Sequence, residues 1–319
     1  MRQALKSKVK STFFEAPKAF KAKHRYSDKE TTEKLKDSLE KNYLDRGTTK
    51  AKQTAQQYNS AIKNQLYDRL YYNRNRIVPW LNNFKKLEGA RILEIGCGTG
   101  ISTQALTEQG AKVTGIDVDK GALKVAEDRL RFTNLEANFH YLNADEIGGK
   151  FKDEPFDFII YYAVLEHMTV KEGISSLKQA WEMLSEDALL VVLETPNRLW
   201  YYDSHTSALP FFDWLPDELA FYYSKFSQRN NFKDLYRELN DEEMLKFLRW
   251  GKGASYHEFE LAIKPLDELQ IISSLMQYEK TAILKLGYKG LKYIRFLKNT
   301  KKDLPQSFCY PYLDIILKR

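Results

Sequence analysis

Three glycines stand at alternate positions, Gly96, Gly98 and Gly100, in the stretch LEIGCGTGIS, with Glu94 two residues before the first. Glycine adopts dihedrals closed to other residues, so a turn built this way lets backbone N–H groups come close to a bound group. After the first strand of a parallel sheet, such a turn holds a nucleotide-like ligand. Which ligand depends on the spacing. A dinucleotide fold prefers G-x-G-x-x-G, and here Ile101 occupies the place of its third glycine. No Gly-Lys-Ser/Thr follows, so a Walker-type phosphate loop is excluded. Asp117 comes about 20 residues after the turn, where a strand-end carboxylate accepts both hydroxyls of a ribose.

Proton transfer calls for a different set of side chains. Histidine is the one most easily poised near neutral pH, and the chain has five. His24 lies in a basic arm with few anchors, and His140 sits inside a strand pattern. His257 is expected to open a strand, where it and Glu258 could orient a substrate. Two such residues make too small a donor set for a metal, and none is expected. His167 follows an apolar strand in LEHM, and His205 comes two residues after Asp203, which is placed to orient it. Cys97 and Cys309 give no disulfide framework and no metal spacing. Cys97, between two glycines, is expected to offer only its backbone.

These residues need elements to hold them. Residues 1–50 are polar and lysine-rich, so their start is expected to be disordered or loosely helical. From about residue 51 to 86 a helical period takes over, with Tyr58, Ile62, Leu66 and Leu70 on one face, and Pro79 breaks it or opens its last helix. ARILEIG, AKVTGID, ANFHYLN, FDFIIYY and ALLVVLE read as five strands, interleaved with helices such as KGALKVAEDRLRFTN and ISSLKQAWEMLSED. That alternation predicts a parallel sheet covered on both faces. HEFELAI and YLDIILKR read as closing strands. The expected fold is α/β, a doubly wound, Rossmann-like, seven-stranded sheet. A helical N-terminal region spans residues 1–88 and the main domain spans 89–319. Residues 195–256 interrupt the alternation with Trp200, Phe211, Phe212, Trp214 and Phe221, too many aromatics for a solvated loop. They are expected to form a lid after the fifth strand.

Taken together, LEIGCGTG, VTGIDVD, LNADEI and FDFIIYYAVLEHM resemble the motif set of class I S-adenosylmethionine-dependent methyltransferases over residues 90–195. The resemblance implies S-adenosylmethionine as cofactor. Its first motif would be Glu94, Gly96, Cys97, Gly98 and Gly100. Asp117 and Val118 would meet the ribose, Ala144 and Asp145 the adenine, and the carbonyl near Tyr161 the methionine ammonium. Enzymes that methylate base nitrogens carry a proline-containing stretch after the fourth strand, and YYAVLEHM has none. That loop resembles small-molecule members of quinone, sterol and glycan pathways, and the insertion resembles one in uncharacterised bacterial members. The implied reaction is O-methylation of a small-molecule, sugar or lipid-linked acceptor; from their positions, His205 is the expected base and His167 is expected to shape the acceptor pocket beside the donor. An RNA methyltransferase and a non-catalytic cofactor-binding module are the alternatives.

The charge is uneven. Residues 1–88 hold 21 Lys and Arg against 9 Asp and Glu, and the remainder 29 against 34, within a formal net of +7. A basic arm can attract nucleic acid, but a solvated helical face is the more ordinary reading and nucleic acid is not the expected partner. The longest apolar runs are too short to span a bilayer and no signal peptide is recognisable, so a cytoplasmic setting is expected. The stretch LKLGYKGLKYIRFLKNTKK is basic and amphipathic. It reads as a helix packed on the sheet with lysines in water, and peripheral contact with an anionic membrane is its other reading.

Overall fold

The computed structural model describes residues 20–25, 28–45, 54–229, 232, 239–279 and 282–319. Its centre is one sheet of seven strands: β1 (Arg91–Ile95), β2 (Lys112–Asp117), β3 (Asn138–Tyr141), β4 (Phe158–Tyr162), β5 (Leu189–Pro196), β6 (Gln270–Ser274) and β7 (Tyr312–Lys318). The strand order is β3-β2-β1-β4-β5-β7-β6. β1 to β5 pair in parallel, and β7 runs antiparallel between β5 and β6. The order reverses between β1 and β4, which is where an open α/β sheet opens its ligand crevice.

The N-terminal helices are built into the body. Helix α1 (Lys29–Leu39) starts where the Asp28 carboxylate accepts from the Thr31 N–H. It buries Leu35 and Leu39 with Val125. A helical run then extends from a Thr54–Gln57 capping box through α2 (Ala55–Lys63), α3 (Arg69–Tyr72) and α4 (Val78–Phe84), joined by two π turns. Pro79 sits in the first turn of α4, directly after the second π turn, so it opens the last helix of the run rather than ending it. Ile77, Val78, Trp80 and Leu81 cover one face of the sheet against Ile92, Phe158 and Val191. The segment carrying His24 is anchored, contrary to expectation. The Lys23 backbone bonds the Gln109 amide, and Arg25 donates to the carbonyls of Thr133 and Asn134. The expectation of disorder for the chain's first residues falls outside the described residues.

The sheet is flanked by α5 (Ile101–Thr107), α6 (Lys120–Phe132), α7 (Ile147–Phe151) and α8 (Val170–Met183). Within the insertion lie α9 (Asp217–Tyr223) and α10 (Asp241–Arg249). HEFELAI is not a strand but the helix α11 (Tyr256–Ala262), so the expected assignment of His257 to a strand fails. The Ser255 hydroxyl and Glu258 carboxylate make a reciprocal capping box that starts a helix, and this local signal outweighs the apolar alternation. The sixth strand is QIISS, a little further on. After α12 (Leu275–Tyr278), α13 (Gly287–Thr300) docks on the body through Gly290, Ile294 and Leu297, with Lys289 and Lys292 outward and Lys298 donating to the Leu304 carbonyl. The aromatic insertion forms a small core of its own from Phe212, Phe221, Phe232 and Phe247. No described helix is long and apolar enough to cross a membrane.

Candidate active site

The glycine turn begins at the carboxyl end of β1. Gly96 and Gly100 both have φ in the left-handed region, at 76° and 74°. A Cβ on Gly96 would come within 2.7 Å of the Val164 side chain, and one on Gly100 within 2.9 Å of Ala126. Both must be glycine for the turn to close against its neighbours. Gly98 also has positive φ, but nothing lies within 4 Å of where its Cβ would be, so this glycine faces open space. Glu94 is wholly buried, and its carboxylate accepts from the Ser102 and Thr103 hydroxyls, tying β1 to α5 behind the turn. Burial pushes its pKa up to about 7. The Cys97 thiol is buried and raised well above its ordinary value, so it is no nucleophile.

Asp117 ends β2 facing the turn. One carboxylate oxygen accepts from the Gly98 N–H and the other from the Asp119 N–H, both at 2.8 Å. A carboxylate has about four lone-pair sites, so two remain for another ligand. Asp117, Val118, Ala144, Asp145 and His167 line a cavity of about 100 Å³ that also touches Gly96. On the other side of Gly96 a cavity of about 270 Å³ lies between the turn and the N-terminal helices, lined by Gln65, Arg69, Thr99 and Ala163. The sequence reading missed Gln65 and Arg69, because nothing local in a helical period says which face will cover the turn. Gln65 accepts from the Thr99 hydroxyl at 2.7 Å, and Arg69 pairs with Glu194 at 2.8 Å. Tyr161 lies fully buried in β4, with its hydroxyl 2.7 Å from Ser176 Oγ.

His167 and His205, far apart in sequence, come together with ring centroids 5.6 Å apart. Between them lies Glu166, which sequence reasoning overlooked although it adjoins His167. Glu166 is fully buried, and its Oε1 has no hydrogen-bond partner among the described residues. His205 Nε2 lies 3.8 Å from that oxygen and His167 Nε2 4.0 Å. Burial pushes the Glu166 pKa up to about 8 and lowers both imidazoles. The Asp203 carboxylate does not touch the His205 ring. It accepts from the backbone N–H groups of His205, Thr206 and Ser207, so it shapes the turn that carries the histidine. Arg229 clamps the same turn through the carbonyls of Ser204, His205 and Thr206. His140 and His257 lie apart from this cluster, on β3 and α11.

Residues 92–187 match the family described as Methyltransferase domain. A ubiquinone biosynthesis O-methyltransferase of Nitrosococcus oceani is 39% identical over 91 residues, covering 28% of this chain and 38% of that one. The corresponding enzyme of Hydrogenovibrio crunogenus is 25% identical over 209 residues, covering 65% of this chain and 82% of that one. The chain spans about two fifths of the length of several of the curated relatives it matches. A solved magnesium protoporphyrin IX methyltransferase from Synechocystis, with bound S-adenosylmethionine, superimposes with a TM-score of 0.38 at 20% identity, over 55% of this chain and 80% of that one. Residues 92–187 are thus similar in sequence to a methyltransferase domain, over less than a third of the chain.

Proposed function

We propose that this protein transfers a methyl group to a hydroxyl of a small-molecule acceptor, a sugar or a lipid-linked compound, that enters beneath the aromatic insertion. The residues suit the donor. Gly98 leaves open space over the turn, and Asp117 keeps two lone-pair sites beside a cavity that Ala144 and Asp145 also line. Arg69, at the far side of the turn, is a cation suited to the donor's carboxylate end. When bound, S-adenosylmethionine supplies an electrophilic methyl on a sulfonium. What this chain must supply is alignment and a sink for the hydroxyl proton.

The observation that carries the reading is the convergence of His167 and His205 on Glu166, with His167 in the wall of the donor cavity. His205 comes from the insertion, so it arrives with the acceptor, and it is the proton acceptor of the bare cluster. His167 shapes the pocket beside the donor. The aromatic insertion, with its own core, suits a lid that excludes water, and Phe211 and Trp214 give it aromatic faces for a sugar ring or apolar group. A lipid-linked acceptor would be met at a membrane surface, where the outward Tyr288 and Phe296 of α13 alternate with Lys289, Lys292 and Arg295. A cytoplasmic setting suits the two buried, unpaired thiols. The RNA alternative gains nothing from the N-terminal helices. Arg74 and Arg76 are spent on Glu108 and Glu279 of the protein itself. The test is incubation with methyl-labelled donor and a metabolite extract, followed by identification of the labelled product. His205→Ala should cut turnover by roughly 10²-fold while leaving donor affinity unchanged. Label on nitrogen or carbon, or full turnover in both His205→Ala and His167→Ala, would sink the reading.

A further inference from the structure

The three groups that converge at the acceptor side have an arrangement that the proton-transfer reading leaves unexplained. The Arg249 carbonyl can only accept, so at 2.9 Å it fixes the His167 Nδ1 as the protonated nitrogen. The Thr206 hydroxyl donates to the Trp250 carbonyl, so it accepts from His205 Nδ1, also at 2.9 Å. Both rings are therefore held as the tautomer whose Nε2 carries a bare lone pair. No described residue hydrogen-bonds either Nε2, and both lie near the one buried carboxylate oxygen that also has no partner.

Separations of 3.8 and 4.0 Å are too wide for a proton shared in a hydrogen bond. They fall within the roughly 4.2 Å that two bonds of ~2.1 Å to one ion can span. One donor atom from each of Glu166, His167 and His205 lies within 4.8 Å of the others. A backbone carbonyl or hydroxyl behind each ligating imidazole is what orients histidines in metal sites.

We propose that Glu166, His167 and His205 form a site for one divalent transition-metal ion. Two imidazoles and one carboxylate suit Zn²⁺, Mn²⁺, Fe²⁺ or Co²⁺ rather than the oxygen-seeking Ca²⁺ or Mg²⁺. The two histidine side chains are 41% and 29% exposed, so solvent reaches the site. This rests on the methyltransferase reading and deepens it. A bound ion would supply positive charge to lower the pKa of an acceptor hydroxyl, whose proton would pass to solvent, and His205 would then serve as a ligand instead of a base. Because His205 comes from the insertion, the ion also ties the lid to the loop after β4. Sequence spacing hides the site, since one ligand lies 38 residues beyond its neighbour on another element.

The test uses the full-length protein stripped with a chelator and titrated with Co²⁺, read by visible absorption and by calorimetry. One equivalent should bind, with a d–d band reporting nitrogen ligation. Glu166→Gln and His205→Ala should each weaken binding by at least tenfold. Thr206→Val, which removes the partner of the His205 ring and the bond to the Trp250 carbonyl but no metal ligand, should weaken it less and keeps the test informative if a ligand variant misfolds. Absence of binding, or binding undiminished in His205→Ala, overturns the metal site. If no ion binds and His205→Ala still abolishes turnover with donor affinity intact, the base reading stands and only this proposal falls. If the ion binds at this cluster and no hydroxyl is ever methylated, the proposal stands and the acceptor reading falls.

Discussion

Replacing Asp117 with alanine tests the donor site at its most explicit point. In the structure the carboxylate uses two of its roughly four acceptor sites on the Gly98 and Asp119 N–H groups and keeps two. A hydrogen bond to a charged partner is worth about 1.5–3 kcal/mol net. Two ribose hydroxyls lost together would set an upper range of about 3–6 kcal/mol, and water entering the cavity in the variant returns part of that. The net loss should be no less than about 2 kcal/mol, which raises Kd roughly 30-fold. The variant also frees the Gly98 N–H, so the turn itself loosens and the effect cannot be smaller than the ribose share. Calorimetric titration of parent and Asp117→Ala with S-adenosylmethionine, alongside a thermal melt to confirm the fold, measures it. A Kd within about threefold of the parent in a folded variant would refute the reasoning, and heat from NAD would point to a dinucleotide site instead.

The turn glycines should separate. Gly100→Ala forces a methyl to 2.9 Å from Ala126 at positive φ and should cost about 1–3 kcal/mol of stability, read as a lower melting temperature. Gly98→Ala meets no protein atom, so it should cost only about 1–2 kcal/mol of backbone strain while weakening donor binding in calorimetry. Phe247→Ala empties the insertion's core and should cost that unit about 3–5 kcal/mol. Donor affinity should stay unchanged and acceptor turnover should fall; a matching loss of donor affinity would contradict a separate lid core. Asp314 accepts from the Glu194 N–H and faces Arg76 and Glu279, and burial pushes its pKa up to about 7. Its folded value lies above the unfolded value of about 3.9, so its stabilisation is full below that pH and is lost as pH rises through 7. Asp314→Asn should therefore melt progressively higher than the parent from about pH 4 to 7 and by a level margin above that, and a constant difference across pH 4–7 would show that Asp314 does not titrate there.

Much of the sheet could be read from the chain because buried parallel strands announce themselves as apolar runs. FIIYY and LLVVLE are fully or almost fully buried along their length, so no alternation had to be decoded. The glycine turn and Asp117 could be read for a related reason, since backbone geometry dictates both residue types and spacing there. HEFELAI shows the limit. Its alternation resembles a strand, yet Ser255 and Glu258 close a capping box, a signal of only two side chains. The acceptor side was half visible. His167 and His205 could be singled out by type, but Glu166 was hidden because a carboxylate beside a loop histidine is normally just solvated. Its burial depends on the insertion folding over it. Arg69 and Gln65 were invisible because their role comes from where a helix lands.

The long-range bonds of the N-terminal helices have a consequence for how the chain is made. Trp80 donates its indole N–H to Ser273, 193 positions later, and Arg76 pairs with Glu279, 203 positions later. A ribosome adding about 5–20 residues per second leaves those helices waiting roughly 10–40 s for their partners. During that interval Ile77, Trp80 and Leu81 lack the complete surface that later shields them. Native topology of this kind, in which early segments are completed by late ones, slows folding and invites capture by holdase chaperones. Slower translation of the last fifty residues should therefore lengthen the aggregation-prone window without altering the finished fold.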